Sequence, residues 1–192
     1  MGKLVVGELT MERALEALEG ERADIVYCDP PWGPGLLRYF RTLNGEPDAD
    51  PSWPEFLELL AQVIVGCVAP GGHIFIEMGE QWADELAAAM AAAGAPESGR
   101  WTCYYSSPKR PQVVWYSGPG TTTDPSGLSG VKMTHTALAG VARVGALVFD
   151  PCCGKGMTAK CALRLGMRFA GVELNPARAR VTQDILERWR RR

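Results

Sequence analysis

The sequence predicts an α/β fold: a mostly parallel sheet of seven strands with helices on both faces and one antiparallel hairpin at an edge. Two observations predict it. Short β-branched and apolar runs alternate with helix-period segments through most of the chain, the pattern of parallel strands joined by crossover helices. The runs at 101–106 and 112–117 break that alternation, because only Ser107-Pro108-Lys109-Arg110-Pro111 separates them, too little for a crossover.

Taken in order, residues 4–6 form a short strand and 10–18 a helix, with Thr10 as N-cap, Glu12 in the first turn and Gly20 beyond the end. Residues 23–27 are a buried strand running into Cys28. A loop rich in Gly, Pro and Asp covers 33–54, interrupted by Leu36-Leu37-Arg38-Tyr39-Phe40. A helix over 55–68 closes at Pro70-Gly71-Gly72, followed by a strand at 73–77 and an alanine-rich helix at 81–93 that stops at Gly94. After the hairpin, 118–130 is a Gly, Thr, Ser and Pro linker. A helix at 135–144, a strand at 146–149, a helix at 155–165, a strand at 168–172 and a helix at 175–190 complete the chain.

Composition narrows the function. The 192 residues suffice for one domain with a sizeable core. A net charge of −2 excludes polyanion binding by bulk electrostatics, although Arg100, Lys109 and Arg110 lie in one region and 188–192 is nearly all arginine. The amino terminus has no signal pattern and no apolar run is long enough to span a membrane, so a cytoplasmic location is expected. Cysteines at 28, 67, 103, 152, 153 and 161 make no Cys-x-x-Cys pair, and only two histidines are present. No metal site is expected, and the thiols read as reduced.

Two strand tips carry the chemistry. In the first, Asp29-Pro30-Pro31-Trp32, the prolines fix φ and stop the strand. That leaves the Asp29 carboxylate and the Pro30 carbonyl as a rigid pair of acceptors beside the Trp32 ring. Two acceptors and a stacking plane suit a planar group with an amino function, such as the edge of adenine; the same residues would also serve as a plain strand-ending turn.

The second tip is Asp150-Pro151-Cys152-Cys153-Gly154-Lys155-Gly156. Gly154 and Gly156 permit a tight turn with close backbone approach, and the helix start just beyond favours a negative group. The next strand ends in Gly171-Val172-Glu173-Leu174-Asn175, where an acid is placed to bind two ribose hydroxyls. The pattern is not Gly-x-Gly-x-x-Gly, because residue 159 is Ala. Cys152 and Cys153 read as small buried apolar residues lining the turn.

Together, in this order, these stretches resemble the permuted class of S-adenosylmethionine-dependent amino-methyltransferases of nucleic acids, in which the catalytic motif precedes the cofactor motif. The resemblance covers nearly the whole chain. It implies a Rossmann-like seven-stranded methyltransferase sheet and S-adenosyl-L-methionine as cofactor. Asp150, Gly154 and Gly156 would border its methionine portion and Glu173 its ribose. Pro151, Cys152, Thr158 and Asn175 lie in the same matching stretches, and His135 in a partial match to a further motif. Asp29, Pro30, Pro31 and Trp32 would form the catalytic tip, with Asp in its first position favouring adenine N6 over cytosine N4.

The departures are Cys152 where the family has Phe, and Met157 where it has Thr, with Thr158 one position away. Between the two halves only 118–130 is available, too short for a folded reader of base edges. The expectation is therefore one catalytic domain over 1–192 without a separate target-recognition domain. It would methylate an exocyclic amine of DNA, with weak sequence selectivity or with help from a homodimer or partner subunit. Methylation of RNA adenosine, and a non-catalytic cofactor-binding scaffold, are the alternatives.

Overall fold

In the computed structural model, which describes residues 3–45, 51–120 and 122–191, the apolar runs become β1 (Lys3–Val6), β2 (Ala23–Cys28), β3 (Val68–Gly79), β4 (Gly99–Tyr104), β5 (Pro111–Ser117), β6 (Leu147–Asp150) and β7 (Arg168–Glu173). They form a single sheet of order β1-β7-β6-β2-β3-β5-β4. The pairs from β1 through β3 are parallel, and β5 runs antiparallel to both β3 and β4. The expected fold is the one observed.

Alternation along the strands divides the core between two faces. Val26 and Cys28 of β2, with Ile74, Ile76 and Met78 of β3, pack under α1 (Met11–Leu18), α3 (Trp53–Cys67) and α4 (Ala83–Ala92). Ile25, Tyr27, Phe75 and Tyr116 face the other way, onto α5 (Gly130–Ala139) and α6 (Met157–Arg164). Phe169, Leu163 and Leu186 join α6 to the closing helix α7 (Pro176–Arg190). None of the helices among the described residues is long and apolar enough to cross a membrane.

Several boundaries depart from expectation for physical reasons. Residues expected as an interrupted loop form α2 (Gly33–Leu43). Pro34 sits in its first turn, where a missing N–H costs nothing, and Leu37 is buried. Residues 46–50 of that expected loop lie outside the described residues. Strand β3 begins at Val68 rather than at 73, because Pro70-Gly71-Gly72 is absorbed as a register irregularity between Ala23↔Val68 and Ile25↔His73. Helix α5 starts five residues earlier than expected, after Ser129. Helix α6 starts two residues later, because Gly154 and Gly156 hold φ of +55° and +78° and keep the preceding turn open.

The stretch expected as a free linker is docked instead. The backbone N–H of Tyr104 donates to Leu128 (3.0 Å) and that of Gly127 to Thr102 (3.0 Å). A bridge between Tyr104 and Ser129 extends the contact. The segment thus covers the outer edge of β4, a strand edge otherwise open to pairing.

Candidate active site

The sheet reverses its winding between β2 and β6: the chain leaves β2 for β3 on one side, and β6 for β7 on the other. The crevice above the carboxyl ends at such a reversal is where open α/β sheets bind ligands. In this protein β2 and β6 pair Val26 with Phe149, so Asp29 and Asp150 rise side by side at that crevice. With Glu77 on β3 and Glu173 at the end of β7, four carboxyl groups line the carboxyl edge of four adjacent strands.

Asp29 stands half-buried just past β2. Burial raises its pKa to about 6, opposed by the indole of Trp32 and the positive charge of Arg178. Trp32 Nε1 donates to Asp29 Oδ1 at 3.1 Å. The ring lies over Gly79, where a Cβ would stand 3.3 Å from it, and meets Tyr105 edge-on with centroids 5.4 Å apart at 82°. Gly33, at φ +82°, is required: a Cβ there would fall 2.4 Å from the Trp82 ring. Pro30 is buried and Pro31 half-buried.

Asp150 is buried and accepts from the backbone N–H of Cys152 (3.0 Å) and from the Thr158 hydroxyl. Burial lifts its pKa to about 7; these two donors pull it down, while the charges of Asp29 and Glu173 push it up. Pro151 is buried beside it. Glu173 receives the Gly154 amide on Oε2 (2.7 Å) and the Asn175 amide on Oε1 (2.8 Å). Each oxygen therefore keeps acceptor capacity for one further donor. Gly156 is held by close approach, since a Cβ there would lie 2.8 Å from Thr182 Oγ1. At Gly154 a Cβ would meet nothing within 4 Å, so the turn is open on that side. Cys153 is buried against α6 and α7, and Cys152 hydrogen-bonds Cys28; both pack as small apolar residues do.

Helix α2 roofs the crevice. It leaves the end of β2 through Trp32, and its far end reaches the start of α7. There Asn175 Nδ2 donates to Asn44 Oδ1 (3.1 Å), and the Arg178 guanidinium lies 4.5 Å from the centre of the Phe40 ring. Asn175 also caps α7, accepting from the amides of Ala177 and Arg178 at 3.0 Å each.

The structure thus brings together Asp29, Trp32, Asp150, Gly154, Thr158, Glu173 and Asn175. His135 is half-buried on α5, one position after Thr134, which donates to Glu77. Sequence reading missed Glu77. Tyr27 Oη (2.8 Å) and Thr134 Oγ1 (3.4 Å) donate to its Oε1, and Gln112 Nε2 (2.9 Å) to its Oε2. Burial, reinforced by the charge of Asp29, holds its carboxyl well above the ordinary range. The signal was present in His73-Ile74-Phe75-Ile76-Glu77, where alternation puts an acid on the same buried face as Phe75. Arg178 was missed as well, because its electrostatic effect on Asp29 depends on how α7 meets α2.

No protein-family model and no curated protein matches the sequence. The fold does have relatives of known structure. The chain is similar to the complex of M1.HpyAVI with SAM, at TM-score 0.69 and 12% identity over 95% of this chain and 98% of that one. It is similar to TTHA0409 of Thermus thermophilus, a proposed DNA modification methylase, in complex with S-adenosyl-L-methionine: TM-score 0.67 and 18% identity over 100% and 94%. It is also similar to PvuII DNA methyltransferase, which is cytosine-N4-specific, at TM-score 0.66 and 14% identity over 100% and 93%. What these likenesses show is a shared architecture along the full length.

Proposed function

We propose that this chain transfers a methyl group from S-adenosyl-L-methionine to an exocyclic amine of DNA, adenine N6 in the first instance. The observation that carries the reading is Asp29: a half-buried carboxylate, pKa about 6, fixed at the winding reversal beside the open glycine turn of β6. The names of the structural relatives, DNA methylases among them, support the class of reaction.

The residues present fit the cofactor. Glu173 keeps two free acceptor directions for vicinal hydroxyls, Gly154 leaves space at the turn, and buried Asp150 sits between them and Asp29. When bound, S-adenosyl-L-methionine supplies an electrophilic methyl group on sulfur. The chain supplies position and charge. Asp29 and the Pro30 carbonyl accept the two N–H groups of the target amine, which orients the nitrogen lone pair away from both. With a pKa near neutrality, Asp29 is also suited to take the proton that the amine must lose. A base within a duplex would have to be flipped out first, at a cost of a few kcal/mol.

In this reading these residues form one catalytic domain, and the segment joining β5 to α5 is too short to read base edges, so by themselves they select sequence weakly. Cytosine N4 is the second reading, because a cytosine-N4-specific enzyme shares the fold. Incubation with radiolabelled cofactor and unmethylated genomic DNA, followed by nucleoside chromatography, tests both. Label on N6-methyladenine from many contexts supports the first reading and label on N4-methylcytosine the second. Cofactor binding without label in DNA overturns both and directs the same assay to RNA.

A further inference from the structure

We infer that the loop joining β4 to β5, residues 105–110, grips an unpaired nucleic-acid strand, with Lys109 and Arg110 holding phosphates next to the nucleotide whose base enters beside Asp29. The inference rests on the proposed function and adds the surface and strand state of the substrate.

Strand β5 runs antiparallel to β3, with Gly79 opposite Gln112, so the loop before Pro111 emerges at the carboxyl edge next to Trp32. From Asp29 outward the side chains form one ladder. Trp32 bonds to Asp29, Tyr105 packs against the Trp32 ring, and the Arg110 guanidinium stacks 4.9 Å from the centre of the Tyr105 ring. The loop backbone fixes that stack, with Tyr105 N–H donating to Arg110 (3.1 Å) and Arg110 N–H to Ser107 (3.0 Å).

Charge points the same way. Arg100, Arg143 and Arg168 each pair with a carboxylate, whereas neither Lys109 nor Arg110 has a carboxylate partner among the described residues. Both are exposed, on a chain whose net charge is −2. Tyr105 is 49% exposed, so part of its ring stays open to a ligand while one edge meets Trp32 and one face meets Arg110. An aromatic face, the guanidinium of Arg110 stacked on it and the neighbouring ammonium of Lys109 form a platform for bases and backbone of a single strand.

The test measures binding of a labelled single-stranded oligonucleotide by fluorescence anisotropy across a salt series. Lys109→Ala/Arg110→Ala should bind about tenfold more weakly, and the slope of log affinity against log salt should fall by about 1.4, near 0.7 for each lost phosphate contact. Arg164→Ala, at the last turn of α6 and so at the opposite edge of the sheet, should match the wild type. A matched duplex should bind more weakly than the single strand.

An unchanged slope in the double variant, the same loss in Arg164→Ala, or tighter binding of the duplex overturns the inference. If the wild type still labels DNA in any of those cases, the proposed function stands. A wild type that binds its cofactor but neither binds nor labels nucleic acid overturns both.

Discussion

The indole Nε1 of Trp32 donates to Oδ1 of Asp29 at 3.1 Å, so the aromatic residue of the first strand tip acts on the charge of the acid three positions before it. Burial alone raises the Asp29 pKa; this bond opposes the rise by favouring the ionised form. If transfer requires Asp29 as an acceptor, activity should climb with pH through a value near 6. Trp32→Phe removes the donor and keeps much of the ring, so the acidic limb of kcat/KM should move up by about one pH unit. A limb that stays in place while activity falls would show that Trp32 acts by packing alone.

Asp29 should cost the fold stability. Its folded-state pKa of about 6 lies above the ordinary 3.8, so in that window the native state binds more protons than the unfolded chain. Stability therefore falls as pH rises from about 4 to about 6, and the full cost remains above that. A shift of this size corresponds to at most about 3 kcal/mol, discounted to roughly 1–2 because the residue is partly solvated and shares its field with Asp150. Asp29→Asn retains an acceptor for Trp32 and should be more stable than the wild type by that amount near pH 8, with no advantage below about pH 4. Urea unfolding at the two pH values reads the difference, and identical gains at both would mean the carboxyl is not the source.

Glu77 gathers three donors in the interior beneath the site. Glu77→Ala strands the Tyr27 hydroxyl and the Gln112 amide and opens a cavity, a loss of about 3 kcal/mol. Burial pushes this carboxyl well above its ordinary pKa, toward the uncharged form that glutamine imitates. Glu77→Gln keeps an acceptor for Tyr27 and Thr134, and the Gln112 amide, whose Oε1 has no partner, can turn over to accept the new NH2, so the cost should be less than about 1 kcal/mol. Equal urea midpoints for the two variants would show that the donors find other partners.

The sheet was legible because its strands are runs such as Ile25-Val26-Tyr27 and Leu147-Val148-Phe149, each closed at its tip by an Asp-Pro pair. The two tips stand out because each is a run of adjacent residues, Asp29-Pro30-Pro31-Trp32 and Asp150-Pro151-Cys152-Cys153-Gly154. What depends on distant residues was not legible. Glu77 and its partners lie 50, 35 and 57 positions apart, and only the intrusion of an acid into an apolar face betrays them. The roof helix was hidden by Gly33-Pro34-Gly35, which reads as a loop until Phe40 meets Arg178 and Asn44 meets Asn175. Pro70-Gly71-Gly72 looked like a strand boundary because local rules do not register a bulge that a neighbouring strand accommodates.

Glu173 ties three elements together: its oxygens take the amides of Gly154 and Asn175, so the glycine turn, the end of β7 and the cap of α7 share one carboxylate. A role confined to the fold and a role in cofactor binding then predict different splits. Glu173→Gln presents an NH2 to one of two amide donors, so both the turn and the hydroxyl site should suffer. Loss of a charged hydrogen bond, about 1.5–3 kcal/mol, corresponds to at least a tenfold drop in affinity for S-adenosyl-L-methionine. With cofactor saturating, kcat should change little, because Glu173 lies two strands away from Asp29. Calorimetric titration together with a melting curve separates the alternatives. A lower Tm with unchanged cofactor affinity would reduce Glu173 to a brace between β6 and α7.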